Sequence, residues 1–206
     1  VYAENGMVSA QEAVAAQIGL DILKAGGNAV DAGVAVAFAL AVTLPRAGNI
    51  GGGGFMIVHD AETGETKAID YREMAPASAE RDMYLDAEGN ADSELSRFTG
   101  LAVGVPGTVA GMQMALEEYG SMTLAEVIEP AIALARDGIE VTPGLADSLK
   151  GLEDRLKKWP TSEGIFYKEG GGFYEPGETL VQTDLANTLQ KIADEGTDGF
   201  YKGETA

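Results

Sequence analysis

The 206-residue chain carries 33 Asp and Glu against 14 Lys and Arg, and a net charge of −19 repels nucleic acid and anionic membrane surfaces alike. With 45% apolar residues it can bury a core, and without cysteine it has no disulfide, no thiolate zinc or iron–sulfur site and no thiol nucleophile. Its one histidine, His59, cannot build a multi-histidine metal cage, and any Ser–His–Asp triad would have to use that imidazole.

The spacing predicts two helices in the first forty-four residues. Ser9 and Glu12 fit a capping box ahead of an apolar stripe through Val14, Ile18, Ile22 and Ala25, which Gly26-Gly27 ends. Asn28 caps the second helix, Asp31 sits in its positive first turn, and Pro45 stops it. This helix is apolar almost all round, so it belongs inside the fold. Its apolar run, Ala32 to Leu44, is shorter than the ~20 residues a membrane helix needs. No basic segment leading into an apolar stretch lies near residue 1, which leaves the compartment open.

A glycine-rich segment follows, Gly48-Asn49-Ile50-Gly51-Gly52-Gly53-Gly54, then an apolar strand from Phe55 to His59. Residues 60–65 read as a hairpin turn and Thr66 to Tyr71 as the returning strand, so the fold class is α+β with helices covering sheet faces. From Met74 to Thr99 the chain reads as irregular and acidic. Helices are predicted over Thr108–Tyr119, Leu124–Asp137, Pro143–Lys157 and Thr183–Glu195, with loop or short strand over Trp159–Gly177. The last residues stop where a helix could begin, an ending that resembles a cut chain.

Two nucleotide templates fail on the glycine run. A phosphate loop needs Gly-Lys-Ser/Thr, and Phe55-Met56 follow instead; a dinucleotide fingerprint needs a strand before and a helix after, the reverse of the order here. The run therefore reads as closely packed backbone. His59 closes its strand with no nucleophile nearby and reads as a strand-end residue. Carboxylate pairs such as Glu117-Glu118, Glu153-Asp154 and Asp194-Glu195 read as solvated helix faces, since nothing selects a converging pair. Arg72 stands apart. Strand alternation puts it on one face with Ala68 and Asp70 just before the chain leaves the sheet. A guanidinium fixed there can grip a ligand carboxylate bidentately, or can pair with Asp70 or Glu73.

Five ordered blocks together resemble the γ-glutamyltranspeptidases (glutathione hydrolases), the bacterial ones above all. They are Ala25-Gly-Gly-Asn-Ala-Val-Asp31, Ala47-Gly-Asn-Ile-Gly-Gly-Gly-Gly-Phe-Met56, Asp70-Tyr-Arg-Glu-Met-Ala-Pro76, Gly104-Val-Pro-Gly-Thr-Val-Ala-Gly111 and Pro130-Ala-Ile-Ala-Leu-Ala-Arg-Asp-Gly138, with Phe200-Tyr-Lys-Gly203 as a sixth match. The resemblance implies an Ntn-hydrolase αββα sandwich, with residues 1–206 as the N-terminal portion of the large subunit: a single domain, incomplete without the rest of that subunit and the small subunit. It implies that the nucleophile is the N-terminal Thr of the small subunit, so that no catalytic residue, metal or cofactor lies in this chain. It further implies that Arg72 holds the α-carboxylate of a γ-glutamyl substrate such as glutathione, that water or an acceptor amine completes the reaction, and that the protein is periplasmic or secreted. The glycine run then falls beside the site. A glutaryl or cephalosporin acylase, or a non-catalytic binding module, are the alternative expectations; a Thr-initiated second chain would separate the module from the enzymes.

Overall fold

The computed structural model describes residues 2–206. In chain order its elements are α1 (Ala13–Lys24), α2 (Ala29–Thr43), β1 (Phe55–His59), β2 (Thr66–Asp70), α3 (Ser93–Phe98), α4 (Thr108–Tyr119) and α5 (Leu124–Asp137). They continue with β3 (Ile139–Glu140), α6 (Pro143–Gly151), α7 (Glu153–Leu156), α8 (Pro160–Phe166), β4 (Thr179–Leu180), α9 (Thr183–Glu195) and α10 (Asp198–Tyr201). The class is α+β, helix-rich with two small antiparallel sheets, β1–β2 and β3–β4. No helix among the described residues is long and apolar enough to cross a membrane. The chain forms two compact units, residues 2–49 with 112–206 and residues 50–111.

The larger unit is built around α2, which packs on α1 and α5, while α5 packs on α9. Val34, Phe38 and Val42 of α2 are buried, as are Val127, Ile128 and Ile132 of α5 and Leu189 and Ile192 of α9. Each such side chain contributes about 1.5–3 kcal/mol by leaving water. The Asn28 cap expected from the sequence forms at the start of α2, where Asp31 completes it as a capping box extended by a distant partner. The Asn28 carboxamide oxygen accepts from the Val30 and Asp31 N–H groups, and Asp31 accepts from the Asn28 N–H at 2.7 Å. Asp31 is fully buried and also accepts the Ser121 hydroxyl at 2.6 Å and the N–H groups of Ser121 and Met122. Burial alone would raise its pKa, but these donors together hold it below the ordinary carboxylate range. At the other end of α2, the buried Gln182 carboxamide donates to the Val42 carbonyl at 2.9 Å.

α1 begins later than its sequence predicts. The Ser9–Glu12 capping box does not form; Glu12 is the cap residue without a side-chain bond. Residues 6–10 instead lie along α1 as irregular chain, with Val8 against Gly19 and Gly6 near Leu23. Packing the Val8 side chain onto the helix outweighs a cap on its end. The predicted 143–157 helix breaks at Leu152 into α6 and α7, and the 159–177 segment contains α8, with Pro160 in its first turn. α3, within the stretch read as irregular, is capped by the Asp92 carboxylate.

In the smaller unit, β1 and β2 form a hairpin pairing Phe55 with Asp70, Ile57 with Ala68 and His59 with Thr66. The turn closes through the Asp60 N–H to Glu65 carbonyl bond, with Gly64 in the left-handed region at φ 72°. Ile69 is buried, while Phe55 and Ile57 are 62% and 74% exposed within this chain.

Candidate substrate-carboxylate site

Arg72 lies two residues beyond the end of β2, just past one more ladder pair: Gly54 and Tyr71 exchange both backbone bonds, at 3.0 and 3.3 Å. The chain then turns away. The Arg72 N–H donates to the Asp70 carboxylate at 3.0 Å, and Met74 pairs with Val105 through two backbone bonds at 2.8 and 3.1 Å. The sequence leaves Asp70 and Glu73 open as ionic partners of Arg72. The structure uses Asp70 on the backbone instead, and among the described residues no carboxylate stands within ion-pair distance of the Arg72 guanidinium. The side chain is exposed, and its guanidinium carbon lies 5.9 Å from the centre of the Phe55 ring across the hairpin. That cation–π contact is worth about 0.5–1 kcal/mol at an exposed site and leaves the N–H fork open to a ligand.

The backbone under Arg72 is crowded by glycines. A methyl group on Gly53 would collide with the Tyr71 carbonyl oxygen and stand 2.8 Å from the Arg72 Cα and 2.9 Å from the Glu73 nitrogen. One on Gly107 would collide with the same carbonyl oxygen and stand 3.0 Å from the Arg72 oxygen. The Tyr71 ring lies against Gly54 and Gly111, and burial raises its phenol pKa. The Gly52 carbonyl accepts the Gly107 and Thr108 N–H groups at 2.8 and 3.1 Å, which joins the glycine run to the Gly104–Gly107 turn. The sequence identifies the glycine run as tightly packed backbone; the structure agrees at Gly48, Gly53 and Gly54, whereas Gly51 is exposed with nothing within 4 Å of an added methyl. What sequence reasoning missed is that the Gly104–Gly107 turn reaches the same stretch, a methyl on Gly107 meeting Tyr71 and Arg72 and one on Gly104 meeting Glu73 and Met74.

His59 is exposed at the end of β1, its Nδ1 2.9 Å from the hydroxyl of Thr66, its partner across the hairpin; the sequence, which offered no nucleophile near His59, did not show this pairing. In each of the carboxylate pairs one member is held by a residue four positions away: Glu117 accepts from Gln113 at 2.7 Å, Glu153 from Lys157 at 2.7 Å and Asp194 from Gln190 at 2.9 Å. Among the described residues, no cluster of three or more acidic or histidine side chains could hold a metal ion.

A gamma-glutamyltranspeptidase family model matches residues 15–206. The glutathione hydrolase proenzyme of Escherichia coli (strain K12) is 55% identical over 207 residues, taking in 100% of this chain and 35% of that protein. Of solved structures, the γ-glutamyltranspeptidase of Helicobacter pylori superposes with a TM-score of 0.97 at 45% identity, over 100% of this chain and 59% of that one. The enzyme of Pseudomonas nitroreducens, solved in complex with L-DON, gives 0.90 at 42% identity, over 99% and 59%. The chain thus spans about a third of the length of the curated relatives it matches. The α+β fold is of the Ntn-hydrolase type that the motifs imply, this chain carrying helices and small sheets of it. From residue 15 to its last residue, the chain belongs to the gamma-glutamyltranspeptidase family.

Proposed function

We propose that residues 1–206 are the N-terminal portion of the large subunit of a periplasmic or secreted γ-glutamyl hydrolase/transpeptidase, and that Arg72 holds the α-carboxylate of its substrate. The observation that carries this reading is the Arg72 guanidinium itself: anchored at its root, steadied by Phe55, and without an acidic partner among the described residues. In a chain with this excess of acid, an arginine kept clear of carboxylates is suited to an anionic ligand. The nucleophile is the N-terminal Thr of the small subunit. Its hydroxyl attacks the γ-glutamyl carbonyl carbon, its α-amino group takes the proton, and the amine leaves to give an acyl-enzyme. Water or an acceptor amine then attacks that ester and releases the glutamyl group. No residue of this chain forms or breaks a bond in the scheme; its part is to hold the substrate.

The test uses the full-length, self-processed enzyme with a γ-glutamyl anilide as donor. Arg72→Ala removes a charge-assisted contact of about 1.5–3 kcal/mol, so KM should rise about ten- to hundredfold. Arg72→Lys should recover little of the loss, because an ammonium cannot form the fork. Unaltered KM and kcat in Arg72→Ala would sink the assignment. A wild-type preference for a glutaryl anilide, which keeps that carboxylate but lacks the α-amino group, would make the enzyme an acylase instead. Intact-mass analysis that finds no Thr-initiated chain would leave a binding module.

A further inference from the structure

We propose that Gly53 and Gly107 are positioning residues for Arg72, setting the root of its side chain so that the guanidinium meets the substrate carboxylate. The inference rests on Arg72 holding that carboxylate. A bidentate grip requires the guanidinium to be placed within about 0.5 Å, yet arginine carries about 2 kcal/mol of side-chain rotamer entropy. The fold can only fix its base, and at Arg72 the usual means have run out. The sheet ladder ends with the Gly54–Tyr71 pair and backbone pairing resumes only at Met74–Val105. Between them, Gly53 and Gly107 reach the Tyr71–Arg72 peptide from two separate segments, and both would-be methyl groups collide with the Tyr71 carbonyl oxygen. The Gly52 carbonyl holds those segments to each other through the Gly107 and Thr108 N–H groups.

Neither glycine has a positive φ, so an alanine would suit its own backbone. The close approach alone demands glycine, and the atoms approached are backbone, which cannot rotate aside. An added methyl must displace the Tyr71–Arg72 peptide. Gly51 provides a control within the same run: it too lacks a positive φ, and a methyl there meets nothing within 4 Å.

Gly53→Ala, Gly107→Ala, Gly51→Ala and Arg72→Ala are made in the full-length, self-processed enzyme. Each is assayed with a γ-glutamyl anilide and with the same compound carrying an α-carboxamide in place of the α-carboxylate. The two positioning variants should raise KM for the carboxylate donor about tenfold or more, with kcat and turnover of the carboxamide donor changed less than about twofold. Adding either glycine substitution to Arg72→Ala should bring no loss beyond that of Arg72→Ala alone, and Gly51→Ala should match the wild type. Equal losses on both donors, or an unchanged KM, would overturn the proposal. So would failure of both positioning variants to self-process while Gly51→Ala matures, since the glycines would then support the fold rather than the arginine. If one variant fails to mature, the other decides. If Arg72→Ala raises KM and the glycine variants do not, the positioning role fails and the arginine assignment stands; if Arg72→Ala changes nothing, the assignment itself has failed.

Discussion

Asp31 takes hydrogen bonds from the Ser121 hydroxyl and from three backbone N–H groups, with no solvent contact of its own. Its lowered pKa has a consequence of definite sign. A carboxyl whose folded pKa lies below its unfolded value contributes stability that is complete above the unfolded value. That stability is lost as the pH falls through the folded value. Acid should therefore destabilise the fold from about pH 4 downward. Asp31→Asn should lower stability at neutral pH by about 1–3 kcal/mol, because an amide nitrogen then faces donors, and should flatten the acid limb. Thermal midpoints recorded from neutral to acid pH check this; an acid limb as steep as the wild type's would show that Asp31 contributes nothing to it. Arg72 presents the opposite case, a charge kept exposed and available. Its alternation and its place at a strand end were legible in the sequence. That Asp70 serves the backbone rather than the guanidinium was not, because strand alternation puts both side chains on one face without saying which atoms meet.

Two helical glycines show how far element-level reading can go. Gly19 in α1 is buried against Val36 of α2 and Val8, and an added methyl would stand 2.6 Å and 2.8 Å from their side chains. Both neighbours are β-branched and stiff, so Gly19→Ala should cost about 1–3 kcal/mol by overpacking despite alanine's better helix propensity. Gly33 in α2 meets nothing within 4 Å, so Gly33→Ala should stabilise by about 0.5–1 kcal/mol. Opposite shifts of thermal midpoint are the expected result, and shifts of one sign would refute the packing argument. The sequence predicts α2, α5 and α9 well because α2 is apolar on nearly every side, α5 and α9 each carry an apolar stripe, and α2 and α5 carry end signals. α5 has the Thr123/Glu126 box and Gly138, and α2 has the Asn28/Asp31 box. It fails where a local signal is outvoted by a distant partner, as at Ser9 and Glu12, or where a helix is too short to show a period, as in α3 and α8. Which loop presses on Arg72 lies outside periodicity altogether, since Gly53 and Gly107 belong to different motifs.

At the scale of the whole chain the excess of acid dominates. Ion pairs such as Lys24–Asp21 and Lys202–Asp198 sit at the surface, where each contributes about 0–1 kcal/mol. Self-repulsion at −19 is the larger effect. Raising salt from about 10 mM to about 1 M, which shortens the screening length from about 30 to about 3 Å, should therefore raise the thermal midpoint. A fall would mean that the ion pairs matter more than the net charge. The larger unit is also discontinuous along the chain, and this sets the order in which it can be made. α2, apolar on nearly every side, leaves the ribosome long before α5 and α9, the helices that complete its surroundings. About ninety residues separate α2 from the end of α5, so at about 5–20 residues per second the helix waits for several seconds at least without its cover. During synthesis the protein thus displays a sticky α1–α2 hairpin to chaperones and proteases, and its most hydrophobic helix is made well before the helices that enclose it.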